Sequence, residues 1–396
     1  MTVLPQAWGV HESHFWLRGR TPDRPVRFDE ETGVWNVYGY PEVLQILGDP
    51  KTFSSNTGRV LPGDYGFSAG VLTQMDPPQH GKLRKLVSRA FTPKVVADLE
   101  PRIAELTHEL LDAVADRQRM ELVNDLAYAL PITVIAELLG VPGSDRDLFK
   151  QWVDQMFQSS HQPSLNPDAD QRRATAIAME NVRLLTGYLH RHAAERRRRP
   201  GDDLLSRLAE AEVDGERLSD DEMANFATIL LVAGHVTTTL LLGNTVLYLG
   251  TYPEARAQAH ADRSTIAALI EESLRFLTPF AVVDRVTNAE AEIDGQRVPA
   301  DQLLTLWVAA ANRDPRQFAD PHVFDPTRDP NPHLAFGRGI HFCIGAPLAR
   351  LEGRVVLGIL LDRFPHLRLD PDDGPQFMPS PTLTGVRKLP LLLHRD

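Results

Sequence analysis

The sequence predicts a mainly α chain with small β-sheets attached, an α+β fold class, and three observations carry that prediction. Val95, Leu99, Ile103, Leu106, Leu110 and Val114 recur at intervals of three and four, the apolar face of one amphipathic helix. From Met223 to Pro253 there is no formal charge except a possible one on His235, the pattern of a long buried helix. Val282 to Thr287 and Leu303 to Val308 then bring strand propensity late in the chain.

Taken in order, Pro77-Pro78 opens a short helix that Thr92-Pro93 closes, since proline suits a first turn and not an interior. Gln158 to Asp170, rich in Ser, Pro, Asn and Asp, reads as a mobile loop between helices. Arg196 to Arg199 followed by Pro200-Gly201-Asp202-Asp203 reads as a helix end and linker, its charges solvated. Ser219 with Glu222 three residues on forms a capping box for the uncharged stretch. Length alone would let that stretch span a membrane. Asn225, Asn244, three glycines and Thr237-Thr238-Thr239 instead favour a central helix buried in protein. Pro315, Pro321, Pro326, Pro330 and Pro332 punctuate an extended loop leading to Cys343. No internal repeat stands out, and residues 1–396 read as a single domain.

The net charge of −11 argues against a nucleic-acid or anionic-membrane binder. Trp8, His11, Glu12, His14 and Arg18 interrupt the N-terminal stretch, so neither signal peptide nor anchor is expected there. A single cysteine permits no internal disulfide, which fits a reducing cytoplasm. That residue, Cys343, is then a buried inert thiol, a nucleophile or a lone thiolate ligand to iron. Its neighbours favour the ligand. Gly337, Gly339 and Gly345 free the backbone for a tight turn whose amides point at sulfur, and Pro347-Leu348-Ala349-Arg350 begins a helix whose positive end lies close by.

The pattern Phe336-x-x-Gly339-x-x-x-Cys343-x-Gly345 resembles the haem-binding signature of cytochrome P450 monooxygenases. Further motifs match that family in order, and the resemblance covers essentially the whole chain. Glu272-Ser273-Leu274-Arg275 is similar to its Glu-x-x-Arg helix motif, which with a later arginine, here Arg328, locks the fold behind the haem. Glu271 is also within reach of Arg275 at spacing four, so the partner stays open. Asp76 to Arg84 resembles the haem-edge helix, and the match implies that His80, Arg84, Arg285 and His341 hold the propionates. Phe336, Gly337, Gly345 and Ala349 are implied to lie against the same group. Ala233-Gly234-His235-Val236-Thr237-Thr238 resembles the oxygen-activation motif, with Ala233, Gly234, Thr237 and Thr238 as its catalytic stretch. Gly234 is expected to leave room for dioxygen. Thr237 is expected to bond a backbone carbonyl, perturb the helix and relay protons. The family usually has an acid immediately before the threonine. Val236 stands there instead, so protons must rely on Thr237, water, His235 or the substrate.

The resemblance implies one haem b (iron protoporphyrin IX) per chain, held by Cys343 as metal ligand, and oxygen insertion into a lipophilic small molecule. It is closest to soluble bacterial enzymes that tailor polyketides or related secondary metabolites. No flavin or nicotinamide domain is visible, so electrons are expected from a ferredoxin with its reductase. Lys82, Lys85, Arg89, Arg338, Arg350 and Arg354 are expected to form the basic docking face of a cytoplasmic monomer. Substrate contacts are expected from Arg59 to Leu72, Phe157 to Ala169, Leu230, Ala233, Thr237, Pro279, Phe280, Val282, Val283 and the turn around Leu383. A peroxide-driven oxidase and a non-catalytic haem sensor are the alternatives. Thr237, the lack of an arginine in the motif and the lack of a signalling domain speak against them.

Overall fold

The computed structural model describes residues 8–61, 70–157 and 161–394, and the helix Asp220–Thr251 is its axis. The expected capping box is present. The Ser219 hydroxyl accepts from the Glu222 amide at 3.1 Å, and the Glu222 carboxylate accepts from the Ser219 amide at 2.8 Å. Asp220, Asp221 and Glu222 place negative charge at the positive end of the helix dipole. Beyond that turn the helix runs through the main apolar core, with Met223, Leu231, Leu241 and Leu247 enclosed. The absence of formal charge follows, because an unpaired charge there would lose its hydration without compensation. Protein, not lipid, covers 72% of its most apolar window.

Helices Ala169–Arg198, Ala129–Leu138, Ile266–Phe276 and Ala346–Arg363 all pack against this axis. A five-stranded sheet flanks the bundle, in the order Val26–Asp29, Val34–Val37, Leu303–Leu306, Val283–Thr287, Phe53–Ser54. Only the pairing of Val34–Val37 with Leu303–Leu306 is parallel. Both late strands expected from the sequence are therefore central to it. A second apolar cluster lies under the sheet, with Val37, Tyr40, Ile46, Leu304 and Phe318.

Three expectations need correction. The stripe from Val95 to Val114 is divided between two helices, Pro93–Ala97 and Glu100–Asp112. Pro101 is the reason, since in a continuous helix its ring would meet the carbonyl four residues back. The apolar face survives the break, with Val95, Ile103, Leu106 and Val114 all buried. The arginine run is not merely solvated. Arg196 pairs with buried Asp203 and donates to the Gly140 carbonyl at 3.0 Å. Arg197 bonds Asp220 at 2.7 Å and the Leu218 carbonyl at 2.6 Å, tying one long helix to the start of the next. The segment read as mobile is docked where it is described. Leu165 donates its amide to the Thr32 carbonyl at 2.8 Å and packs against Val34, Val286 and Leu303. Residues 158–160 of that loop, and 62–69 of the loop from Arg59 to Leu72, lie outside the described residues.

The ambiguous arginine partner is resolved. Arg275 holds Glu272 through two bonds of 2.8 and 2.7 Å, and neither side chain is exposed. Its remaining donors reach the carbonyls of Asn312, Pro321 and Val323 at 2.9–3.0 Å. Glu272 also accepts from the Asp325 amide at 2.8 Å and from the Asn331 side chain at 3.1 Å, with Arg328 3.5 Å away. Glu271 turns elsewhere, to Arg350 at 2.6 Å and His333 at 3.0 Å. The Pro-rich loop toward Cys343 is thus fastened to one buried ion pair. Glu272→Gln keeps the shape but leaves the guanidinium uncompensated. Urea unfolding is expected to show a loss of about 3–5 kcal/mol with an unchanged slope, whereas a surface pair such as Lys94–Asp98, broken the same way, costs under about 1 kcal/mol.

Candidate active site

Two left-handed glycines shape the cysteine loop: Gly337 at φ 67° and Gly339 at φ 70°. A side chain on Gly339 would come within 2.7 Å of the Leu47 carbonyl oxygen, so the loop is pressed directly onto the helix Tyr40–Gly48. Gly345 differs from expectation. Its φ is −81°, an ordinary helix-start value, and a Cβ there would only graze Cys343 Sγ at 3.8 Å. The Cys343 amide donates to the Phe336 carbonyl at 2.9 Å. The thiol keeps an accessible face, yet the protein mass around it raises its pKa. The amides of Gly345 and Ala346 and the charges of Arg84 and Arg350 work against that rise without cancelling it. A thiolate here needs a further positive charge, which a bound metal supplies. Phe336 lies under the Arg350 guanidinium at 4.6 Å, and half-buried Ala349 follows in the first turn of the next helix.

Four nitrogen donors gather beside this loop. His80 and Arg84 share a face of the helix Gln79–Ala90, Arg285 comes from the strand Val283–Thr287, and His341 precedes the cysteine by two residues. The His80 and His341 rings are 4.3 Å apart. His80 Nε2 is buried with no partner, while His341 Nε2 lies 2.9 Å from Ser55 Oγ. Arg84 donates to the Phe342 carbonyl, and Arg285 to the Asp284 carbonyl, each at 2.7 Å. Burial lowers the pKa of all four. The charges of Arg285, His80 and Arg84 help to push His341 down to about 3. The nearby Asp76 carboxylate is already engaged by Ser54 and Ser55. This set has more donors than acceptors and includes an orphaned buried nitrogen. It suits a dianionic group, and the two carboxylates of a haem fit it.

On the central helix, Thr237 Oγ1 donates to the Ala233 carbonyl at 2.6 Å, as expected, while the helical pattern runs unbroken through the motif. Ala233 is exposed and Thr237 half-exposed. At Gly234 the missing side chain makes room for Ile135, whose Cδ1 would lie 2.5 Å from a Cβ, so the residue permits close helix packing. His235 is turned toward the protein. It is fully buried on the opposite face, packed edge-on against Tyr128 at 4.2 Å, and burial lowers its pKa to about 3. Val236 packs half-buried against the core.

One carboxyl group escaped the sequence reading. Glu352, on the helix Ala346–Arg363, is fully buried with Oε1 unpartnered. Desolvation raises its pKa to about 8 against an opposing hydrogen bond from Thr238, the neighbour of Thr237. The signal was present in the sequence: Leu348, Glu352 and Val356 share one helical face, and a charge interrupts an apolar stripe.

The expected substrate contacts divide by exposure. Ala233, Thr237, Val283 and Phe280 offer surface, Phe280 at 41%. Leu230, Pro279, Val282 and Leu383 are enclosed instead and stand behind that surface. A local pairing joins two of them: Ala281 donates to the Thr382 carbonyl at 2.8 Å and Thr384 to the Pro279 carbonyl at 2.9 Å, which sets Leu383 directly across from Phe280. The anticipated basic face is also thinner than its sequence suggests. Lys82 pairs with Glu216 at 2.9 Å, Arg350 with Glu271 at 2.6 Å and Arg354 with Glu100 at 3.0 Å, while Arg89 reaches the Glu212 carbonyl. Among the described residues, Lys85 and Arg338 are exposed without a carboxylate partner.

The sequence model of the cytochrome P450 family matches residues 8–393. The cyclomarin C epoxidase CymV of Salinispora arenicola is 45% identical over 386 residues, 96% of each chain. The erythromycin C-12 hydroxylase of Saccharopolyspora erythraea is 42% identical over 397 residues, 99% of this chain and 98% of that one. The crystal structure of HmtT, involved in himastatin biosynthesis, superposes with a TM-score of 0.88 at 54% identity, covering 98% of this chain and 99% of that one. With the cysteine loop, its ring of donors and the Thr237 helix assembled on one scaffold, the chain belongs to the cytochrome P450 family and is a monooxygenase of that family.

Proposed function

We propose that this monooxygenase inserts one oxygen atom from O2, by hydroxylation or epoxidation, into a large lipophilic secondary metabolite of the polyketide or macrolide kind. Its relatives act on cyclomarin C and erythromycin or take part in himastatin biosynthesis, and that supports the substrate class. The observation that carries the site assignment is the accessible thiol of Cys343 beside a cluster of donors in excess of their acceptors. Cys343 would hold the iron of one haem b, and His80, Arg84, Arg285 and His341 would receive its propionates. When bound, that group supplies oxygen activation, and the thiolate's electron donation favours O–O cleavage.

The chain's own part is positioning and proton control. The Gly345 and Ala346 amides stabilise negative charge on sulfur. Phe280 and Ala233 present an apolar surface that orders a lipophilic substrate and displaces water. Thr237 donates its hydroxyl to the Ala233 carbonyl, and rotation about one bond turns that hydrogen bond toward a closer acceptor, so it passes on a proton only as its oxygen takes one from water. Val236 can hold no proton, so supply depends on Thr237 and water. Burial raises the pKa of Glu352 to about 8, which favours its protonated form beside Thr238. Electrons come from a ferredoxin with its reductase. Lys85 and Arg338, exposed and unpaired by carboxylates among the described residues, are the strongest candidates for its contact. The protein acts as a cytoplasmic monomer.

Three measurements test this reading. The ferrous–carbon monoxide spectrum is expected to be of thiolate type and to lose that character in Cys343→Ser; an unchanged spectrum would refute the ligand assignment. Val236→Glu supplies an acid next to Thr237 and is expected to raise the product formed per reduced nicotinamide consumed. An unchanged ratio means the valine does not limit proton delivery. The third concerns Glu352, whose folded pKa of about 8 lies above its ordinary 4.5. Its stability contribution is complete below about pH 4.5 and is lost as pH climbs to about 8, at about 1.4 kcal/mol per pH unit. The stability gained by Glu352→Gln in urea unfolding is therefore expected to grow with pH across that window and to level off above it.

A further inference from the structure

Two turns beyond Thr237, Asn244 carries a fully buried side-chain amide on the otherwise apolar central helix. A buried amide survives only when its bonds are made. Here the recorded ones leave the helix. Nδ2 donates to the Leu277 carbonyl and to the Thr384 carbonyl, both at 3.1 Å, and Oδ1 accepts from the Val386 amide at 3.2 Å. The two carbonyls and the one N–H fix which end of the amide is which. Gly385 fits closely against the group, since a Cβ there would lie 2.5 Å from Asn244 Oδ1. Leu277 and Thr384 begin and end the two segments whose pairing sets exposed Phe280 across from buried Leu383. From other sides, His14 Nε2 lies 2.9 Å from the Pro381 carbonyl, and Asn312 Nδ2 donates to Thr278 at 2.8 Å.

We infer that Asn244 is a specificity-determining positioning residue, because its amide fixes the platform that carries Phe280 against the helix that carries Thr237. The inference rests on the proposed reading of Phe280 as a substrate contact. Asn244 touches no substrate. It sets the offset between the surface that seats the substrate and the stretch around Thr237, so it governs which substrate atoms come to that stretch.

The test uses holoenzyme and two iron-binding azoles, imidazole and the bulky apolar clotrimazole, with dissociation constants from difference spectra. Asn244→Asp keeps the shape and the acceptor for Val386 while removing both donors. It is expected to weaken clotrimazole about tenfold and leave imidazole unchanged, as the loss of one or two buried bonds would do. In a Phe280→Ala background the same change is expected to have little further effect, because the two residues act in series. Equal weakening of both azoles, or an undiminished effect without Phe280, assigns Asn244 a general structural role and overturns the inference. If Phe280→Ala alone leaves clotrimazole affinity unchanged, the underlying reading of Phe280 fails, and that result is distinct. Should Asn244→Asp lack the thiolate-type carbon monoxide spectrum, Gly385→Ala pushes a methyl against the same amide. It is expected to shift clotrimazole alone, and an unshifted clotrimazole constant overturns the inference.

Discussion

A guanidinium cannot be left alone in a protein interior, and this fold is arranged around one that is not. Arg275 is entirely enclosed, so each of its donors must find an acceptor. Glu272 supplies two acceptors, and three backbone carbonyls from the Pro-rich loop supply the rest. Those carbonyls belong to chain with little helix or strand of its own, which would otherwise have few reasons to hold one path. The ion pair therefore gives shape to an irregular segment, more than it adds net stability. Asn312 continues the tie, accepting from the Leu334 amide at 2.7 Å shortly before the cysteine loop begins. The position of Cys343 is inherited from that sequence of obligations.

Much of this was legible in the residues, for identifiable reasons. The central helix declared itself through a capping box and a long run without charge, both local signals with strong physical causes. The pairing of Thr237 with its own helix was legible because a threonine hydroxyl reaches one turn back. The choice between Glu271 and Glu272 was not. Both spacings suit a helix, and only the tertiary arrival of Asn312, Pro321 and Val323 decides which glutamate turns inward. The packing role of Gly234 was hidden for a related reason: a glycine announces missing volume but not which neighbour, here Ile135, lies against it. The enclosed Leu383 and exposed Phe280 were likewise indistinguishable as apolar residues, because tertiary cover and not residue type decides their burial.

Electrostatically the site is divided. Beside the cysteine loop, burial lowers the pKa of His80 and His341, helped by Arg84 at both and by Arg285 at His341, and the edge is rich in donors. Around the Thr237 stretch few charges stand: a valine where the family usually has an acid, and burial that lowers the pKa of His235 and raises that of Glu352.

The contact of Gly339 with the Leu47 carbonyl gives this division a mechanical side. Leu47 belongs to the apolar cluster under the sheet, whereas the helix that follows Cys343 belongs to the larger cluster around the central helix. The cysteine loop is wedged between two packed bodies, with no side chain at residue 339 to act as a cushion. The position of Cys343 thus depends on how both bodies pack, so sequence drift in the sheet-side core is constrained by a loop that lies outside it.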